Sequence, residues 1–219
     1  MKTKFMFVLL LLLISTFSYA KVSIGVVGGG GMSWLHGDVG IGDYFYDGGD
    51  AYNVIFTDPT LSYEGGVLIN AGTEGFIICL EAFYRRVGLD YKVNESFALD
   101  DTYLTGTATL DYLYFPVKIR FKNNAGYFLE FGGYYSQLND IESSIDDLDE
   151  DESENFQIDD TLFEENDYGI VSGFGIDKGN MSLSARISYS LTDMLTEDYQ
   201  EQNDYTTLVN AGVYLMVKL

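Results

Sequence analysis

The chain reads as an all-β protein, an antiparallel up-and-down barrel of eight membrane-crossing strands. Three observations predict this. Long runs alternate apolar and polar residues with a period of two, which puts the two sets on opposite faces of a strand. Short turns join these runs at one end: Ala71-Gly72-Thr73-Glu74-Gly75, Lys122-Asn123-Asn124-Ala125-Gly126 and Asp177-Lys178-Gly179-Asn180. Long acidic loops join them at the other end, and short turns opposite long loops characterise bacterial outer-membrane barrels, with the turns periplasmic and the loops extracellular.

The N-terminus reads as a signal peptide over residues 1–20. It has a basic start with Lys2 and Lys4, an apolar stretch from Phe5 to about Ile14, and a small-x-small site at Ser18-Tyr19-Ala20. The apolar stretch is too short for a stable membrane-spanning helix. No Cys stands at the cleavage site, so the pattern is not that of a lipoprotein. The mature domain is expected to be 21–219.

Eight runs follow. Val22–Trp34 turns Val22, Ile24 and Val26 outward. Thr60–Gly72 turns Leu61, Tyr63, Val67 and Ile69 outward, with Glu64 and Asn70 inward. Gly75–Tyr91 has Phe76, Ile78, Leu80 and Tyr84 outside, with Glu81 and Arg85 inside. Gly106–Phe121 has Leu113, Phe115, Val117, Ile119 and Phe121 outside, with Tyr112, Tyr114, Lys118 and Arg120 inside. Gly126–Leu138 places Tyr127, Leu129, Phe131 and Tyr135 outside and Glu130 inside. Tyr168–Asp177 sends Ile170, Phe174 and Ile176 outward and presents glycines inward. Met181–Thr192 is the most regular run, with Met181, Leu183, Ala185, Ile187, Tyr189 and Leu191 opposite Ser182, Ser184, Arg186, Ser188, Ser190 and Thr192. The last run sets Val209, Ala211, Val213, Leu215, Val217 and Leu219 opposite Asn210, Gly212, Tyr214, Met216 and Lys218. Each is long enough to cross the hydrocarbon at a tilt. Pro116 lacks an N–H, so it is expected at a bulge or an unpaired position near its strand's end.

Glu64, Glu81, Arg85, Lys118, Arg120, Glu130 and Arg186 all fall on the polar phase. Eight strands leave a lumen just wide enough for side chains. These seven charges are therefore expected to pair and plug the lumen rather than line an aqueous path. The same clustering separates a membrane barrel from a lipocalin-like one, which would expose the charges and keep an apolar cavity.

Removing Lys2 and Lys4 leaves 10 basic against 34 acidic residues, a net charge of −24. This balance excludes nucleic acid as a partner, because phosphate binding needs Lys and Arg clusters. A single Cys, Cys79, excludes a disulfide scaffold. Four long loops are expected at about 35–59, 92–105, 139–167 and 193–205. The third carries fourteen acids and no Lys or Arg, a self-repelling block suited to divalent cations or a basic partner. Asp147, Asp149 and Asp151 are weak metal candidates there, but the Gly and terminal Glu of a calcium loop are missing. His36, the only histidine, stands near Ser33 and Asp38. A serine, a histidine and an acid raise a lipid-modifying enzyme as one alternative, and solute or ion transport through the lumen is another. No catalytic or cofactor-binding residue is assigned, and no cofactor is expected.

Several segments carry a resemblance. Ile24-Gly25-Val26-Val27-Gly28-Gly29-Gly30 is followed by Trp34-Leu35-His36-Gly37-Asp38. Asp111-Tyr112-Leu113-Tyr114-Phe115-Pro116-Val117-Lys118 is similar to a "Y-L-E-I-P-L-L-L-K" strand, and Tyr168–Ile176 to a Gly-rich "G-L-V-A-G-A-G-I" strand. With these the chain resembles the porin-like outer-membrane β-barrel family of Bacteroidetes and spirochaetes. The resemblance implies a bacterial outer-membrane location, with outer-membrane lipids and the barrel-assembly machinery as partners. A monomeric, non-enzymatic protein that displays its acidic loops, in envelope integrity or surface interaction, is the function expected.

Overall fold

A computed structural model describes residues 21–36, 40–45, 51–95, 104–145, 162–196 and 206–219. The segment 1–20, Asp38 and the metal candidates Asp147, Asp149 and Asp151 lie outside these described residues.

Ten strands are present among the described residues. They are β1 (Lys21–His36), β2 (Gly40–Phe45), β3 (Ala51–Phe56), β4 (Thr60–Gly72), β5 (Phe76–Glu95), β6 (Leu104–Lys122), β7 (Tyr127–Ile145), β8 (Asn166–Lys178), β9 (Met181–Ser190) and β10 (Thr207–Lys218). Eight of them, β1 and β4 to β10, form a closed antiparallel ring in up-and-down order, sealed where β1 meets β10 and β5 meets β6. Closure removes the sheet edges that the bilayer could not hydrate.

Strands β2 and β3 depart from the sequence reading, which assigned 35–59 to a loop. They form a hairpin that prolongs the wall, with β3 pairing along the far end of β5 from Phe56↔Tyr91 to Tyr52↔Glu95. The interruption between β3 and β4 falls at Thr57-Asp58-Pro59. Pro59 cannot donate to the ladder, and the Thr57 N–H instead reaches the Asp90 carbonyl at 2.8 Å. Strands β5, β6 and β7 also run further toward the long-loop end than the apolar pattern indicated. There the outer face meets water, so polar residues such as Asp140 and Glu142 replace the apolar ones without ending the pairing.

Side chains follow the pleat. Leu61, Leu129, Phe131, Phe174, Leu183 and Val213 are exposed on the outside, forming the lipid-facing band. Val209 shares the outward phase but is buried, opposite Trp34 and Tyr189 in register. Pro116 sits in the middle of β6 rather than near its end. Paired positions with β5 lapse between Leu80↔Val117 and Phe83↔Tyr114, where Pro116 has no N–H to give.

The turns explain themselves locally. In the β6–β7 turn the Asn123 side chain accepts from the Ala125 and Tyr127 N–H groups, both at 3.0 Å, and Gly126 takes φ of +92°. Gly179 at φ of +64° makes the β8–β9 turn. Both angles favour glycine.

Candidate functional site

The interior has two layers. At membrane depth it is a charge network set among aromatic rings. Glu130, on β7, is its hub. Its Oε1 accepts from Lys118 Nζ at 3.0 Å and Arg186 Nε at 2.7 Å, and its Oε2 from Arg120 at 2.8 and 3.0 Å. Glu81 accepts from both Arg186 terminal nitrogens at 3.0 and 3.1 Å and lies 2.9 Å from Lys118 Nζ. Glu64 and Arg85 make a separate pair at 2.8 Å. Three of the guanidiniums also cover rings: Arg85 over Tyr114, Arg120 over Phe128 and Arg186 over Tyr214, at 3.4, 4.0 and 4.6 Å from the centroids. Such contacts gain strength when desolvated.

The seven charges named from the sequence are all buried in this layer and sum to one positive charge. The sequence reading missed the residue that balances them. Asp177, on β8, lies 3.7 Å from Arg120 and accepts from Lys122 and Lys218 at 3.3 and 3.1 Å. It closes the Tyr168–Asp177 run on the inward phase and also opens the Asp177-Lys178-Gly179-Asn180 turn, and no lumen role was assigned to it.

Glycines on the inner face make the room. A Cβ on Gly29 would fall 2.2 Å from the Tyr214 ring, and one on Gly169 would fall 2.3 Å from the Tyr134 ring. Space remaining among Glu64, Arg85, Tyr114, Lys118, Arg186 and Tyr214 has no room for a water molecule.

The second layer closes the mouth at the long-loop end and is apolar. Val87, Leu89, Tyr91, Ala108, Leu110 and Tyr112 line the wall. Leu162 and Phe163 from the third long loop, and Met194 and Leu195 from the fourth, fold over it and are buried. Phe163 bridges Leu195, the Thr196 N–H reaches the Leu162 carbonyl at 3.0 Å, and the Phe163 ring packs 5.9 Å from Phe56. This lid went unrecognised in the sequence. Its signal was two apolar doublets, Leu162-Phe163 and Met194-Leu195, inside otherwise acidic stretches.

Ser33 and His36 do not form a nucleophile and base. Ser33 is buried and its hydroxyl donates to the Gly88 carbonyl at 3.1 Å, whereas His36 is exposed on the opposite face of β1. Among the described residues no three His, Cys, Asp or Glu side chains are grouped to hold a metal. Just beyond the lipid-facing band, Arg86 donates to Asp111 at 2.6 Å through Nε, and Tyr84 donates to the same carboxylate. The Arg86 hydrogen bond holds the Asp111 carboxyl below the usual carboxylate range.

A family model described as "Outer membrane protein beta-barrel domain" matches residues 15–196. No curated relative matches by sequence. Among solved structures, Neisserial surface protein A is similar at 11% identity and a TM-score of 0.47, covering 91% of this chain and 99% of that one. The attachment invasion locus protein Ail of Yersinia pestis, solved with the heparin analogue sucrose octasulfate, is similar at 10% identity and a TM-score of 0.41, covering 90% and 99%.

Proposed function

The chain belongs to the outer membrane protein beta-barrel domain family and resides in the bacterial outer membrane, and from that premise we propose that it is a closed, non-enzymatic scaffold for surface display. The observation that carries this reading is the filled interior. The lumen charges Glu64, Glu81, Arg85, Lys118, Arg120, Glu130 and Arg186 are spent on one another and on Asp177, and an apolar lid lies over them. A solute path needs water-sized space along its length, and the space among Glu64, Arg85, Tyr114, Lys118, Arg186 and Tyr214 has none.

What reaches the outside is then the long-loop end, where the acids between Asp140 and Asp167 are concentrated. Divalent cations or a basic partner are the ligands their charge favours. The role is envelope integrity or surface interaction, exercised by a monomer seated in outer-membrane lipid after delivery by the barrel-assembly machinery.

Liposome swelling tests the reading. Proteoliposomes carrying the purified barrel should swell in arabinose no faster than empty liposomes. Swelling that scales with the amount of barrel would replace display with transport.

A further inference from the structure

Asp167 is a carboxylate held by hydroxyls alone. It is buried, and among the described residues no Lys, Arg or His pairs with it. Its Oδ2 accepts from Ser136 on β7 at 3.2 Å. Its Oδ1 accepts from Ser190, at the end of β9, and from Thr192, just beyond it, at 2.5 and 2.7 Å. Thr192 Oγ1 in turn accepts the Tyr168 N–H at 3.2 Å. A buried carboxylate is costly without such donors, so the cluster fixes where the chain runs after β9.

Asp167 therefore stands at the roots of both arms of the lid. Leu162-Phe163 runs into β8 just before it. Met194-Leu195 follows Thr192, and Asp193 Oδ1 turns this arm by accepting the Leu195 and Thr206 N–H groups at 3.3 and 3.2 Å. The arms also hold each other. The Glu164 N–H reaches the Met194 carbonyl and the Thr196 N–H the Leu162 carbonyl, both at 3.0 Å. None of these bonds belongs to the ring, whose ladders here end at Gln137↔Asn166 and Gly169↔Ser190. The lid can lift without breaking a ring pair.

The ionic layer below cannot trade partners, because the space beside Lys118 and Arg186 has no room for water. Asp167 differs, since it bonds the root of the lid itself. Water entering as Thr192 leaves takes over its bonds. The shut lid gains the burial of four apolar side chains, and the lifted lid gains a hydrated carboxylate. Opposed gains on a segment outside the ladders are the makings of a local, cooperative opening. We propose that the two arms form one lid that opens reversibly as a unit on the standing barrel, with Asp167 as its latch. Opening bares Leu89, Leu110 and Tyr112 to the outside, while the ionic layer keeps the lumen closed. The device does not depend on the display reading.

Residue-resolved hydrogen exchange on the full-length protein in detergent tests this. The Glu164 and Thr196 amides should exchange at one common rate, at least about tenfold faster than the ladder amides of β9. Asp167→Asn should keep the unboiled gel shift and speed both amides by at least about tenfold, the effect of one hydrogen bond to a charged group. Bonds on either side of Phe163↔Leu195 make it a close, non-hydrogen-bonded pair, suited to a disulfide. The oxidised double variant Phe163→Cys, Leu195→Cys should slow both amides together, also in the Asp167→Asn background. Should Asp167→Asn lose the gel shift, Thr192→Val makes the same test with the carboxylate left in place. Separate rates for the two arms, exchange in step with the β9 ladder, or unchanged rates in the folded latch variant would each overturn the proposal.

Discussion

The barrel fills its interior twice, and the two fillings obey different rules. At membrane depth the filling is ionic. Glu130 serves Lys118, Arg120 and Arg186 together, so each charge is tolerable only while its partners remain. At the long-loop mouth the filling is hydrocarbon, from Leu89, Leu110, Leu162, Phe163 and Met194. Losing one of these removes contacts in proportion to its volume and strands nothing. The comparison teaches that the same task of excluding water is brittle in one layer and graded in the other.

The strongest way to break the ionic layer is Glu130→Ala. It leaves Arg120 with Asp177, 3.7 Å away, as its one carboxylate among the described residues, and should destabilise by about 3–5 kcal/mol. Urea unfolding in detergent, followed by loss of the unboiled gel shift, measures this. Arg186→Ala, which strips both Glu81 and Glu130 of a donor, should cost about 3 kcal/mol in the same assay. In the apolar layer, Leu110→Ala should cost about 2–4 kcal/mol, set by the cavity left behind. A cost for Glu130→Ala below that of Leu110→Ala would erase the distinction between the layers. Gly169→Val sharpens the packing side of the comparison. Its side chain meets the Tyr134 ring and the Tyr189 carbonyl, and overpacking of this kind costs about 1–3 kcal/mol.

The period of two reveals the ring because lipid demands an apolar outer face along the whole crossing. Leu183, Ile187 and Val213 follow from that demand alone, and so does the inward phase of Glu81, Lys118, Glu130 and Arg186. Where water replaces lipid the demand disappears, and so does the signal. That is why the apolar pattern carries no strand signal for β2, β3 and the far ends of β5 to β7. Asp177 was obscured differently, since turn residues and lumen residues overlap where a strand ends in a short hairpin. Which acid meets which base depends on register across strands distant in sequence, as with Arg186 and Glu81, and periodicity carries no such information. The lid of Leu162, Phe163, Met194 and Leu195 depends on two long loops folding back together, a tertiary event with only its apolar doublets as trace.

The smallest expected effect lies outside both layers, at the outer rim. Asp111 is held ionised by Arg86, so its contribution is present above the ordinary carboxylate range and is lost as pH falls through the lowered value. Arg86→Ala should therefore lower stability near neutral pH, while Tyr84 remains as a donor to Asp111. The difference from wild type should vanish at pH values well below about 3.9, as read by urea midpoints across pH.

Planar-bilayer recording of the purified barrel tests the closed lumen most directly. The filled interior predicts a quiet baseline from the wild-type protein at all voltages, with brief irregular openings appearing only in Glu130→Ala. Stable, uniform conductance steps from the wild-type protein would contradict it.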